Sequence, residues 1–310
     1  MCPSESNAGR LHEMVPIEGR RFLMGSEDFY PEERPVRPAD AGDFWIDVHQ
    51  VTNTQFERFV EATGYVTVAE RALDPKDYPD ALPELLRPGG LVFQGTTGPV
   101  PLDDVTRWWA YTPGASWRTP LGPTSDLAGR RDHPVVQIAY EDAEAYAAWR
   151  GARLPTETEW ELAARGGLEG AAYCWGQDPY PDGTQVANTW QGEFPWQNLV
   201  LDGYPGTSPV GSFPPNGLGL FDMAGNVWDW TSDAWSDRRE PAKSCCSPTM
   251  LADPSSDAST ERFERKVIKG GSHLCSPNYC LRFRPAARQP EAVDTSTCHI
   301  GFRCVADTSD

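Results

Sequence analysis

Two cysteines stand five residues apart in the stretch Gly270-Gly271-Ser272-His273-Leu274-Cys275-Ser276-Pro277-Asn278-Tyr279-Cys280-Leu281-Arg282-Phe283-Arg284. Pro277-Asn278 between them is a turn signal, and a turn there brings both sulfurs to one point. Arg282 and Arg284 flank the pair, and a nearby guanidinium favours thiolate over thiol. Three chemistries fit. The pair can be a disulfide or two inert core thiols. With Cys298 and Cys304 it can form a four-sulfur zinc site, although the spacings are wider than usual. As two thiolates it suits a soft monovalent ion such as Cu(I). Spacing does not choose among them.

Other chemistries find no support. There is no G-x-S-x-G, no G-x-x-x-x-G-K-[ST] and no H-E-x-x-H. His12, His49, His133, His273 and His299 show no ligand spacing. With 45 acidic against 27 basic residues the net charge is −18, which repels nucleic-acid phosphates and anionic lipid, so neither nucleic acid nor a membrane surface is an expected partner. No apolar run approaches the roughly 18 residues that span a bilayer. The polar start Met1-Cys2-Pro3-Ser4-Glu5-Ser6 is not a secretory signal, so the expected compartment is the cytoplasm. Eight cysteines in 310 residues are too few for a stapled scaffold. Cys2, Cys174, Cys245 and Cys246 are scattered, whereas the other four cluster late, which points there to metal or redox chemistry.

The positioning elements are short. Thr52-Asn53-Thr54-Gln55 is a capping box that opens a helix bearing Phe56, Phe59 and Val60 and ending at Gly64. Residues 141–150 form a second helix closed by Gly151. Thr156-Glu157-Thr158-Glu159 opens a third, carrying Trp160 and Ala163-Ala164 toward Gly166-Gly167. Residues 134–138 and 266–268 read as strands. Residues 68–132 and 234–264, rich in Pro, Asp, Ser and Arg, read as long surface excursions. Twelve tryptophans suggest a core built on aromatic anchors. The fold class expected is α+β, one domain with little regular secondary structure.

The stretches RLPTETEWELAARGG (153–167), ANTWQGEFP (187–195), GNVWDWTSD (225–233), GGSHLCSPNYCLRFR (270–284) and GFRC (301–304) resemble formylglycine-generating enzymes of the sulfatase-modifying factor family. The first, third and last are shared with non-catalytic, lectin-like members of the superfamily and specify the fold. The two cysteines after Gly-Gly-Ser are specific to the generating enzymes. The resemblance runs in patches from about residue 13 to the C-terminus and fades in the two excursions. It implies a flexible N-terminus over 1–12 and one C-type-lectin-like domain over 13–310.

The same resemblance implies an activity. Family members bind Cu(I) linearly between two thiolates, here Cys275 and Cys280. A cysteine in a Cys-x-Pro-x-Arg segment of an unfolded sulfatase polypeptide joins as a third sulfur ligand. Molecular oxygen reacts there, a β-hydrogen is removed, and the thioaldehyde hydrolyses to formylglycine; an external thiol is the reductant. Ser272 and Trp228 match positions lining the oxygen pocket. Structural Ca²⁺ is implied at two oxygen-rich sets. The first is Asn188, Thr189, Asp202 and Tyr204, the second and fourth through carbonyls. The second is Asp222, Gly225, Val227 and Asp229, with Asp229 where a longer glutamate is usual. Pro285 and Ala164 stand where secreted relatives carry cysteines, in keeping with a cytoplasmic enzyme. His299 matches a polar position near the substrate cleft. The acidic excess is expected to offer the substrate arginine a carboxylate for planar, bidentate pairing.

Rival readings differ in testable features. A non-catalytic lectin-like binding module would not bind copper at the cysteine pair. A sulfoxide synthase with non-haem iron needs an additional N-terminal helical domain with clustered histidines. A thiol–disulfide oxidoreductase is disfavoured by the C-x4-C spacing and the lack of a thioredoxin-like βαβ pattern.

Overall fold

In the computed structural model, residues 14–79, 81–236 and 263–308 are described. The N-terminus over 1–12, with Cys2 and His12, lies outside them, as do Cys245, Cys246 and most of the second excursion. Helices form where the local signals place them. Helix α1 (Asn53–Thr63) is capped by Thr52, whose Oγ1 accepts from Gln55 N at 3.3 Å while Gln55 Oε1 accepts from Thr52 N at 2.8 Å. Gly64 ends it at φ 67°, a conformation that favours glycine. Helix α2 (Tyr140–Arg150) stops at Gly151 in the same way. Helix α3 (Glu157–Ala164) has a second capping box, between Thr156 and Glu159.

Eleven short strands make four sheets among the described residues. Strands β1 (Met14–Ile17), β4 (Phe44–Asp47) and β11 (Val305–Asp307) form an antiparallel sheet with β4 central. Strand β2 (Arg21–Met24) pairs with β3 (Arg37–Asp40), and β5 (Gly89–Phe93) with β6 (Trp109–Pro113). The largest sheet has the order β10 (Ile300–Gly301), β7 (Trp228–Ala234), β8 (Arg265–Lys269), β9 (Arg288–Ala292). Only β10–β7 is parallel within it.

Two sequence expectations need correction. Residues 134–138 do not form a strand: Gln137 has φ 59°, and Pro134 makes only an isolated bridge to Thr52. Gln137 Nε2 instead donates to Leu91 O and Pro120 O, so a side chain bonds where a ladder was expected. The first excursion, 68–132, is also not mere surface, since it contains the β5–β6 pair and the fully buried Trp108 and Trp117.

The aromatic core is as expected. Phe56 meets Trp117, Tyr146 and Phe302 at centroid distances of 5.3, 5.9 and 6.5 Å. Such pairs add about 0.5–1.5 kcal/mol each beyond area burial. Buried charge accompanies the apolar packing. Lys269 Nζ lies 3.0 Å from Glu161 Oε2 and 3.5 Å from Glu157 Oε1. Arg165 pairs with Glu161 at 2.7 Å and Arg288 with Glu157 at 2.9 Å. Burial works against ionised Glu161, but Lys269 and Arg165 outweigh it and hold the carboxyl below its ordinary range. This cluster joins α3 to β8 and β9, and β8 leads directly into the cysteine loop.

Candidate metal centre and catalytic pocket

After Lys269 the chain turns through Gly270 and Gly271, at φ 92° and 71°. A Cβ at Gly271 would come within 2.9 Å of Phe283 N, so only glycine lets the two arms of the loop approach this closely. The loop then closes on itself: Cys275 N donates to Ser272 O at 2.9 Å, and Cys280 N to Ser276 O at 2.8 Å. Trp190 N donates to Cys275 O at 2.9 Å, and Phe194 stacks on Tyr279 at 4.4 Å with a 1° interplanar angle. The 187–195 motif therefore braces the cysteine loop.

The two sulfurs lie 3.2 Å apart and are not bonded. That is well beyond the roughly 2.05 Å of a disulfide. Cys275 is 1% exposed and Cys280 9%. Burial and the adjacent sulfur push the Cys275 thiol well up. The hydrogen bond from Cys275, helped by Arg282 and opposed by burial, brings Cys280 down to about 7. The two sulfurs titrate as a pair, with Cys280 the one that ionises first. Arg282 Nη1 is 4.0 Å from Cys280 Sγ, held by Glu32 at 2.7 Å and by the Tyr30 ring at 3.8 Å. Arg284 does not act as expected. Its guanidinium pairs with buried Glu33 and lies 3.6 Å over the Phe29 ring.

Cys275, Cys280, Ser272 and Trp228 all line one cavity of about 140 Å³, together with Trp109, Phe194, Leu274, Tyr279, Arg282, Gln289 and His299. Ser272 N donates to Cys275 Sγ at 3.4 Å. Trp228 opens β7, with its N–H on His299 O at 2.9 Å. Spacing alone does not single out Trp109, Phe194, Tyr279 or Gln289. Phe194 lies in a family-like motif and Trp109 in the excursion; Gln289 has no sequence signal. Among the described residues no carboxylate lines this cavity.

The four-sulfur zinc site does not form, because no three or more His, Cys, Asp or Glu side chains converge among the described residues. Cys298 Sγ instead accepts from Phe93 N at 3.3 Å, and Cys304 N donates to Asp47 Oδ2 at 2.8 Å. The two-sulfur set fits a soft ion by donor type. An ion in line between the sulfurs needs more than 3.2 Å, since a metal–sulfur bond is about 2.3 Å in the zinc case, so loading would require side-chain rotation.

The oxygen-rich sets lie apart from the cavity. Gln191 Nε2 sits between Thr189 O and Asp202 Oδ2, the latter at 2.7 Å, and Asp202 Oδ1 accepts from Tyr204 N at 2.9 Å. Asn188 Oδ1, in the same set, is buried without a partner, as a cation ligand would be. In the second set, Gln50 Nε2 bridges Asp222 O at 3.3 Å and Val227 O at 2.8 Å. Asp229 Oδ2 pairs with Arg303 at 2.7 Å, and its Oδ1 is partnerless. Gly225 N donates to Gly270 O at 2.9 Å. In both sets a glutamine side-chain nitrogen bridges candidate oxygens, and Arg303 neutralises part of the second.

Comparison with known proteins follows the same lines. The family model of the sulfatase-modifying factor enzyme 1-like domain matches residues 2–308. The chain belongs to this family. It is 53% identical to the formylglycine-generating enzyme of Mycobacterium tuberculosis, over 96% of this chain and 98% of that one. It is also 37% identical to the inactive Cα-formylglycine-generating enzyme 2 of Mus musculus, over 94% of this chain and 85% of that one. Among solved structures, that of PvdO from Pseudomonas aeruginosa superposes with TM-score 0.62 at 27% identity, covering 95% of this chain and 94% of that one. The α+β domain with little regular secondary structure expected from sequence is thus the family's fold. No helix among the described residues is long and apolar enough to cross a membrane.

Proposed function

We propose that the protein converts a cysteine in a Cys-x-Pro-x-Arg segment of an unfolded sulfatase polypeptide to Cα-formylglycine. In this reading Cys275 and Cys280 hold Cu(I), molecular oxygen is the oxidant, and Ca²⁺ is structural. Relatives named as generating enzymes reach 53% identity over nearly the full chain, against 37% for one named inactive, which supports enzymatic oxidation of a cysteine to formylglycine. The observation that carries the reading is the pair of unbridged sulfurs, 3.2 Å apart, in the wall of a small pocket.

Electron counting defines the task. Converting a CH₂–SH carbon to CHO with release of H₂S yields two electrons and two protons. Reducing dioxygen to water takes four of each, so an external thiol supplies the remaining two. Bound at the sulfur pair, Cu(I) would supply a redox-active centre where a substrate thiolate and dioxygen meet. The chain's own residues prepare that place. The Cys275 hydrogen bond and Arg282 favour the thiolate of Cys280, and Cys275 must lose its proton before both sulfurs are donors. The Ser272 N–H fixes the Cys275 sulfur, while Trp228, Trp109 and Leu274 wall the pocket against bulk water. Sulfurs this buried are out of reach of a cysteine on a folded surface, so the partner must present an extended segment.

The test is mass spectrometry of a Cys-x-Pro-x-Arg peptide after aerobic incubation with enzyme, Cu(I) and a thiol. The aldehyde is expected in the full mixture and absent when copper, oxygen or thiol is omitted. An unchanged peptide in the full mixture, with copper bound, would leave the binding-module reading in its place.

A further inference from the structure

Gln289 and His299 stand at opposite sides of the largest sheet: Gln289 on β9, one outer strand, and His299 immediately before β10, the other. Both line the sulfur pocket. The other polar groups there are largely engaged. Ser272 Oγ accepts from Leu274 N at 3.2 Å, and Arg282 is held by Glu32 and Tyr30, its Nε alone being buried without a partner among the described residues. The Gln289 amide makes no hydrogen bond within the described residues. His299 makes one, between Nδ1 and Thr297 Oγ1 at 2.6 Å, and its ring packs on Trp109 at 4.7 Å. Thr297 Oγ1 already accepts from His299 N at 3.3 Å, so its proton is available to donate to Nδ1. That assignment leaves the ring proton on Nε2, which has no hydrogen-bond partner among the described residues. Burial, helped by His273, pushes the imidazole down to about 3, so it is neutral at physiological pH.

An extended segment entering a pocket this small loses water from the peptide groups beside its cysteine. Each of these then needs a partner. Neutral amide and imidazole groups match peptide groups, whereas charged ones would select side chains. We propose that Gln289 and His299 grip the substrate main chain beside the reactive cysteine, His299 Nε2 donating to a peptide carbonyl and Gln289 pairing with an adjacent peptide group. The inference rests on the peptide-oxidising reading above and adds how the segment is held. Because the contacts are to main chain, the residue on either side of the cysteine is free to vary.

The experiment uses a fluorescent Cys-x-Pro-x-Arg peptide with serine in place of the cysteine, so that binding is read by anisotropy without turnover. Backbone esters replace, one at a time, the two peptide links flanking that serine. At least one ester should bind the wild-type protein about 3- to 10-fold more weakly, the worth of one hydrogen bond. That loss should shrink in Gln289→Ala or His299→Leu and return in His299→Gln. Melting curves report whether each variant folds. If His299→Leu does not, the esters on wild type and Gln289→Ala still carry the test. Esters that bind as well as the native peptide, or lose equally in wild type and both variants, overturn the proposal. With cysteine peptides, aldehyde formation by wild type and an unchanged KM in both variants would sink this inference alone. No aldehyde and no peptide binding by wild type would sink the parent reading with it.

Discussion

The ion cluster around Lys269 and the pocket around Cys275 are only a few residues apart in the chain, yet they use polar side chains in opposite ways. Lys269, Glu157, Glu161, Arg165 and Arg288 are all buried and tied to one another within α3, β8 and β9. In the pocket, two sulfurs share a hydrogen bond without a disulfide, and Gln289 and His299 Nε2 have no hydrogen-bond partner among the described residues. Saturated charge holds the scaffold rigid; unsaturated groups are left for what enters. The double-glycine turn at Gly270-Gly271 is the boundary between the two regimes.

That contrast predicts separable effects. Cys280→Ser should lower turnover more than about 1,000-fold, roughly 4 kcal/mol in barrier, with little change in melting temperature. Steady-state kinetics beside a thermal scan would check it, and parallel losses of activity and stability would erase the distinction. Lys269→Met should do the reverse. It leaves Glu157 and Glu161 short of a buried cation, at a cost of about 3–5 kcal/mol, while the folded fraction keeps its turnover. A lowered urea midpoint at unchanged m-value is the expected readout.

A smaller effect separates the first oxygen set from both regions. Calcium at 100 times its dissociation constant would add about 2.7 kcal/mol of stability. Chelation, or Asn188→Ala at saturating calcium, should therefore lower the melting temperature. No shift, with no calcium found by elemental analysis, would assign Asn188 and Asp202 to loop structure alone. Smallest is an effect of pH within the pocket. Cys280 falls to about 7 mainly through the Cys275 hydrogen bond, so its iodoacetamide alkylation should accelerate as pH rises through about 7. Cys275→Ala removes that bond, and the midpoint should move to higher pH. An unmoved midpoint would give Arg282 the larger share.

Much of this organisation was legible in sequence where a local signal has a local cause. Thr52 and Thr156 cap helices, Gly64 and Gly151 end them, and Cys275 and Cys280 meet across the Pro277-Asn278 turn. What local pattern did not reveal depends on distant partners. Gln137 leaves strand geometry because Leu91 and Pro120 bind its side chain. Arg284 is diverted from the thiols by Glu33, 251 residues away in the chain. Trp109 reaches the pocket from a stretch with no period, because β6 pairs with β5. Gln289 comes from a strand whose alternation carries no hydrophobic contrast.

The central claim is that the sulfur pair, and no other group, is the copper centre. Titration of the purified protein with Cu(I) against a coloured chelator tests it most directly. One tightly held Cu(I) per chain is expected, lost in both Cys275→Ser and Cys280→Ser and retained in Cys298→Ser. Undiminished affinity in the first two variants would contradict the account.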